Sequence, residues 1–336
     1  MVKYAIIHEI PSVETYCKLR LPAGIDPTAA AAGLPNSLFA VQILCTSQEL
    51  HAVSQPVTVG MGRIIGDGAL FFQVVDIAVL PGHQHKGLER MIMEEIDSWI
   101  LANAPLTGHI TVVANDGEMD LYTRHEFVGA DVYNSVGMAI QIPTLVSVPQ
   151  LGSRHSKIRT NAVALEVLQL TLPRLLRNLH SPMVYTTLRE IPSVETYCNL
   201  RISVGLSAKS RSAAAIGLPN SLFAVQILYH HPLTSLANSD SVMPGLSPES
   251  VGMGRVIGDG GLFYQVVDIA VLPAHQGKGL GKMILKEIRA WITANVPPTG
   301  YISLIAQGRA KDLYAQYGFI ETAMNNGAAM VRLVKE

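Results

Sequence analysis

Residues 276–281 read QGKGLG and stand between an apolar run, VVDIAVLP, and a helical pattern, KMILKEIRAWITANV. Gly277, Gly279 and Gly281 leave the main chain bare where that helix begins. Amide hydrogens point outward at such an end, and the helix dipole favours an anion there. Glycine also lets the backbone approach a phosphate closely and take whatever φ the turn demands. Lys278 adds a positive charge. On this reading Gln276, Gly277, Lys278, Gly279, Leu280 and Gly281 form a diphosphate cradle; the alternative is a flexible strand-to-helix turn. Neither GxxxxGK[ST] nor GxGxxG occurs at this turn, so the common nucleotide motifs do not fit. His275 and its counterpart His83 precede the two turns and read as solvent-exposed turn residues rather than bases or ligands. With no HExxH and no paired cysteines, no metal site is expected. Arg255 and Arg63 lie in VGMGR strands and would either neutralise a substrate carboxylate or pair with a neighbouring acid.

The cradle has a second version. EIPSVETYCKLR (9–20) returns as EIPSVETYCNLR (190–201), GLPNSLFAVQIL (33–44) returns unchanged at 217–228, and VGMGRIIGDGALFFQVVDIAVLP (59–81) returns as VGMGRVIGDGGLFYQVVDIAVLP (251–273). The offsets are 190−9=181, 217−33=184 and 251−59=192, so the second copy carries two insertions. The larger falls in a Pro/Ser/Asn-rich segment, 230–250, which reads as a hairpin loop. A unit of this length is a whole domain, not a solenoid repeat. The expected organisation is one domain at 1–142, a linker with one or two docking helices at 143–183, and a second domain at 184–336.

Within the second copy the patterns predict a strand at 184–190, a helix after Pro192 and Ser193, and a short helix stopped by Gly217 and Pro219. Three strands follow, the last of them the β-branched LFYQVVDIAVLP. Next comes an amphipathic helix with Leu280, Ile284, Ile288, Trp291 and Ile292 on one face. The chain ends with the strand YISLIAQ, the short helix RAKDLYAQYG and FIETAMNNGAAMVRLV, read as a closing hairpin. This is a mixed α/β architecture with a central sheet.

VVDIAVLPAHQGKGLGKMI resembles the acetyl-CoA-binding segment of the GNAT superfamily of N-acetyltransferases, Q/R-x-x-G-x-G/A, with Gln276, Gly279 and Gly281 at the matching places. DLYAQYGF (312–319) resembles the family's second signature, and the element order is the family's order. The resemblance implies two tandem GNAT domains and acetyl-CoA as co-substrate. It implies that the pantetheine arm lies between splayed strands, here 262–272 and 301–306, with backbone groups of Ala270, Val271 and Leu272 pairing with its amides. A primary amine would attack the thioester directly. Tyr314 stands at the general-acid position. Asp268 is the only carboxylate on the strand where the family often places its base, and Gln265 holds the position used by protein-acetylating members. Alternation puts Asp268 on the face opposite Gln265 and Val267 unless a bulge reverses it; a buried structural carboxylate is the other reading. Arg201 and Asn220 fall near the family's acceptor-site helices.

In the first copy Gly281 is matched by Glu89, Gly277 by His85, and the glycine before Phe319 by Glu126. A carboxylate about 5 Å from a diphosphate costs on the order of 1 kcal/mol or more. The first domain is therefore expected to bind acetyl-CoA poorly or not at all and to act as the inert half of an intramolecular pseudo-dimer; the alternative is that Glu89 swings outward and both sites work.

The chain has 336 residues, enough for two cores, with 49% hydrophobic and 15% charged residues. Lys and Arg number 25 against 26 Asp and Glu, which draws the chain neither to nucleic acid nor to an anionic membrane. No apolar run approaches the roughly 20 residues of a membrane helix, and MVKYAIIHEIP reads as a first strand, not a signal peptide. Three scattered cysteines suit a reducing, cytoplasmic compartment. The leading expectation is an N-acetyltransferase for a small amine. Protein or peptide acetylation, and a non-catalytic acyl-CoA-binding scaffold, are the alternatives.

Overall fold

Two mixed sheets account for both copies of the repeat. They are described by a computed structural model covering residues 2–21, 24–49, 52–53, 55–115, 117–141, 184–231 and 247–334. The expected docking helices at 143–183 lie outside the described residues, as does the centre of the 230–250 segment. The first copy supplies strands β1 (Val2–Ile7), β2 (Phe39–Glu49), β3 (Ala52–Val53), β4 (Val57–Gly66), β5 (Phe71–Val79), β6 (His109–Asn115), β7 (Val128–Gly129) and β8 (Ser135–Gln141). The second supplies β9 (Tyr185–Leu188), β10 (Phe223–Tyr229), β11 (Glu249–Gly258), β12 (Phe263–Val271), β13 (Tyr301–Gln307), β14 (Ile320–Glu321) and β15 (Gly327–Leu333).

The order of elements in the second copy is the order that the patterns predict. Ser193 caps the helix Val194–Ser203 through the Thr196 amide, and Ser210 caps Arg211–Gly217 through the Ala213 amide. The long helix Leu280–Asn295 buries Leu280, Ile284, Leu285, Ile288 and Ile292 against the sheet. Each such side chain contributes about 1.5–3 kcal/mol on burial.

The last strands trade places. The first sheet runs β1-β2-β4-β5-β6-β15-β7, with β3 paired to β2; the second runs β14-β8-β13-β12-β11-β10-β9. Strand β15 pairs with β6 from Leu333↔His109 to Gly327↔Asn115, and β8 pairs with β13 from Gln141↔Tyr301 to Ser135↔Gln307. The closing segment is therefore not a hairpin: β14 pairs with β8 and β15 with β6 and β7, in different sheets. The reason is the repeat itself. SVGMAIQ and GAAMVRL are equivalent strands, and each fills the other's slot. They pass closely at Gly137, where an added Cβ would lie 2.2 Å from the Ala329 Cβ.

Helices of each copy also pack on the other. Ala213, Ala214 and Leu218 share a core with Ala69, Leu70 and Phe71, and Ala29, Ala30 and Leu34 share one with Leu262. At the centre lie crossed ion pairs. Arg255 reaches Asp67 at 3.0 Å and Arg63 reaches Asp259 at 3.0 Å, all four side chains fully buried. The same aspartates tie down their own turns: Asp67 Oδ1 accepts from the amides of Ala69, Leu70 and Phe71, and Asp259 Oδ1 from those of Gly261, Leu262 and Phe263.

Candidate active site

Strands β12 and β13 pair in parallel from Phe263↔Tyr301 to Val266↔Leu304 and then part, although β12 continues to Val271 and β13 to Gln307. A cleft of about 640 Å³ opens between them. Its walls are Val267–Val271 and Leu304, Ile305 and Gln307, and Ala310 and Tyr314 line it further on. Ala270 and Val271 face this cleft, and Leu272 follows them. The Leu272 amide is taken by Val251 O at 2.9 Å, so of the three only Ala270 and Val271 line the space.

The turn after β12 has the form that its glycines require. Gln276 Nε2 donates to Val271 O at 2.9 Å, tying the turn to the strand end. Gly277 has φ +75° and Gly279 φ +80°, left-handed angles that favour glycine. Gly279 is the N-cap of Leu280–Asn295. The amides of residues 277–281 donate to no acceptor among the described residues. Five N–H groups thus converge at one helix end, the arrangement that holds a diphosphate. Lys278 folds back, its Nζ on Ala274 O at 3.1 Å and on the Tyr185 hydroxyl at 3.2 Å. His275 is not a free turn residue: its Nδ1 lies 2.9 Å from the Tyr185 hydroxyl, as His83 Nδ1 lies 3.0 Å from that of Tyr4. Both histidines fasten the turn to the first strand of their copy.

The bulge anticipated in β12 is present. The pairing with β11 slips between Met253↔Ala270 and Arg255↔Val267, and Asp268 takes φ +60°. It swings Asp268 to the side of Val267, against the helix Val194–Ser203, but not into the role of a base. Asp268 Oδ1 is bound by Arg201 Nη1 and accepts from the Tyr197 hydroxyl, and Oδ2 accepts from Arg255 Nε at 2.7 Å. Burial alone would raise this carboxyl; Arg255 and Arg201 overcome it and hold it below the usual carboxylate range. A carboxylate so held is a poor proton acceptor.

Three expected substrate contacts are also spoken for. Arg255 is fully buried, its three guanidinium nitrogens donating to Asp268, Asp67 and the Ser221 hydroxyl. Asn220 Nδ2 donates to Asp67 O at 3.0 Å and Ile216 O at 3.2 Å, at the junction of the copies. Arg201 lines the cleft, but its guanidinium is spent on Asp268 and Ser207. Tyr314 is not committed in this way. It is buried and lines the cleft, and its hydroxyl has no hydrogen-bond partner among the described residues. Burial pushes it up to about 12.

Sequence reasoning missed the residues that the first copy contributes to this cleft: Phe71, His109, Thr111, Tyr133 and Ser135. It also missed Lys209, whose Nζ donates to Leu70 O at 3.1 Å and to Thr107 O, and lies 3.3 Å from His109 Nδ1. Only the pairing of the two halves brings these together, although Lys209 against Ile25 in the aligned repeat was a visible asymmetry.

The first copy has the same splay, since β5 and β6 pair only as far as Val74↔Val112. Its cleft is about 230 Å³. The turn keeps its shape, with Gly87 at φ +77° and His85 at +59°, a strained angle for a side-chain-bearing residue. What differs is charge: Glu89 stands in the first helical turn, and Glu118, at the place of Ala310 (310−192=118), lines the cleft. Glu118 was not noticed in the sequence.

Residues 247–321 match the family model described as an acetyltransferase (GNAT) domain. A 122-residue stretch is 30% identical to the chloroplastic GCN5-related N-acetyltransferase 2 of Arabidopsis thaliana, covering 34% of this chain and 45% of that protein, so the chain spans under half the length of that curated relative. Among solved structures, a tandem GNAT protein from the clavulanic acid biosynthesis pathway aligns over 100% of this chain and 99% of its own, with TM-score 0.50 and 12% identity, a likeness of fold alone. A probable acetyltransferase of unknown function from meticillin-resistant Staphylococcus aureus is 40% identical, covering 41% of this chain and 91% of its own, with TM-score 0.34. The second half of the chain thus holds a GNAT acetyltransferase domain. The chain as a whole has the fold of two such domains in tandem.

Proposed function

We propose that the chain is an acetyl-CoA-dependent N-acetyltransferase whose second copy transfers acetyl to the primary amine of a small molecule, the first copy being an inert partner. One contrast carries this reading. The second cleft, of about 640 Å³, is lined by Gln276, whose turn runs into a helix with no acidic residue in its first turn, whereas the first, of about 230 Å³, is lined by Glu118 and its helix begins with Glu89. The residues present fit the cofactor. The amides of residues 277–281 would hold its diphosphate, and the unpaired edges of β12 and β13 would hold its pantetheine arm. Acetyl-CoA supplies an activated thioester.

The remaining chemistry falls to the chain's own residues. Tyr314 lines the cleft, and its hydroxyl has no partner among the described residues. At about 12 it stays protonated, and proton transfer to a thiolate of about 8.5 is uphill. Its contribution is therefore a hydrogen bond to the departing sulfur more than a full proton transfer. With Asp268 held by two arginines, the ammonium proton of the acceptor leaves to water in the cleft. First-copy side chains narrow the acceptor side, which favours a small molecule over a protein tail. The three cysteines are free thiols, which fits a cytoplasmic setting.

Steady-state release of thiol from acetyl-CoA, with arylalkylamines, polyamines, amino acids and peptides as acceptors, tests this. Turnover with small amines supports it. Tight binding of acetyl-CoA with no turnover of any amine would leave a scaffold instead.

A further inference from the structure

The acceptor side of the second cleft is not built by the second copy alone. His109 begins β6 of the first copy, lies half-buried, and lines the cleft beside Phe71, with ring centroids 5.8 Å apart. Its Nδ1 is 3.3 Å from Lys209 Nζ, and Lys209 comes from the second copy. Three acceptors surround that nitrogen: the carbonyls of Leu70 and Thr107 and the imidazole. Burial, then Arg201, push the Lys209 amine down to about 7, with Asp268 and Asp67 opposing them; below that pH it is an ammonium with three protons and no lone pair, and this arrangement gives each proton a partner. His109 Nδ1 then accepts, and the single proton of the neutral ring sits on Nε2. That nitrogen has no partner among the described residues.

The ring is held neutral. Burial, then Lys209 and Arg201, push His109 down to about 3, Asp268 opposing them. Below about pH 7, where Lys209 is charged, a donor of fixed tautomer is therefore presented at one point of the cleft wall. The other half of the molecule has nothing comparable. At the equivalent places stand Ile25 for Lys209 (209−184=25) and Tyr301 for His109 (109+192=301), and both line the smaller cleft. The polar pair occurs only where the cleft is large.

We infer that His109, locked by Lys209, is a specificity-determining residue contributed by the first copy to the acceptor site of the second: its Nε2–H donates to an oxygen on the amine substrate, and so selects amines that carry a carbonyl or carboxylate oxygen near the reacting nitrogen. This rests on the second cleft being the acetyl-transfer site. A site that offers a fixed donor loses affinity for an analogue with no acceptor, and one neutral hydrogen bond corresponds to about a fivefold effect. His109 does not touch the reacting thioester, so its effect belongs in the acceptor KM and not in the binding of acetyl-CoA.

The test uses three acceptors of one skeleton at pH 6, where Lys209 is an ammonium: phenethylamine, phenylalaninamide and phenylalanine. Ratios of kcat/KM for each oxygen-bearing amine to phenethylamine are measured for the parent chain and for His109→Phe, His109→Gln and Lys209→Met. Comparing ratios between variants removes differences in amine basicity. The amide and the acid distinguish a carbonyl from a carboxylate as the preferred group. The expected result is a ratio that falls about fivefold or more in His109→Phe, less in His109→Gln, which keeps an N–H donor, and partly in Lys209→Met, with acetyl-CoA Kd unchanged throughout. A ratio unmoved in both His109 variants, with turnover and acetyl-CoA Kd intact, overturns the inference and leaves the proposed function standing. A parent chain that neither binds acetyl-CoA nor turns over any amine overturns both.

Discussion

Two side chains in the cleft, Tyr314 and Asp268, look alike as catalytic candidates in the sequence and part company in three dimensions. Tyr314 lines the cleft, and its hydroxyl has no partner among the described residues. Tyr314→Phe should lower kcat by about ten- to a hundredfold with acetyl-CoA Kd unchanged, measured by stopped-time thiol release. Asp268 is wholly committed to Arg255 and Arg201. Asp268→Asn should cost about 3–5 kcal/mol in denaturant unfolding, because two buried guanidiniums lose their counter-charge. The pH-rate profile of the parent should rise with the ionisation of the substrate amine, with no limb from a carboxylate. His109 leaves a different mark. Its ring is pushed down to about 3, whereas an unfolded histidine titrates near 6.5. Between these values the unfolded chain binds the extra proton, so this contribution to stability is present above about 6.5 and is lost as pH falls toward 3. Parent stability should therefore drop between pH 6.5 and 4.5 more steeply than that of His109→Phe, by at most about 1.4 kcal/mol per unit. A buried structural carboxylate was one of the two readings of Asp268 in the sequence; that Arg201 would hold it was not legible, because the two are 67 residues apart and no local pattern encodes such a meeting.

At the scale of elements the sequence was a good guide wherever structure is local. The 3.6-residue spacing of Leu280, Ile284, Ile288 and Ile292 predicted the helix face that is buried, and serine caps began the helices after residues 193 and 210. The glycine turn took the left-handed angles its composition permits. The bulge in β12 was anticipated as a possibility and decides where Asp268 goes. Partners of strands were another matter. GAAMVRL has the alternation of a strand in either sheet, and nothing in it distinguishes β6 from β13 as neighbour. The survival of the turn in the first copy, with His85 at φ +59°, was equally hidden. Substituting both glycine equivalents has therefore left the backbone cradle standing and changed its charge.

For the whole molecule, the exchanged strands and the crossed Arg–Asp pairs make the halves one unit. Arg255 and Asp67, like Arg63 and Asp259, are fully buried across the junction. With a protease site inserted within residues 143–183, the cleaved fragments should co-elute on gel filtration. Their unfolding should remain a single transition. Separation into independently folded halves would contradict the exchange of β8 and β15. Sequence repetition made two domains legible; it could not show that each supplies the other's last strand. It did make legible the difference between the two glycine turns, and the proposed division of labour rests there. Calorimetric titration of acetyl-CoA into the parent chain, Gly281→Glu and Glu89→Gly addresses that division directly. The parent should bind one equivalent per chain, and Gly281→Glu should weaken binding about fivefold or more through the carboxylate it places beside the diphosphate. Glu89→Gly should leave the high-affinity equivalent unchanged. Two equal sites in the parent, or affinity that responds to residue 89 and not to residue 281, would contradict it.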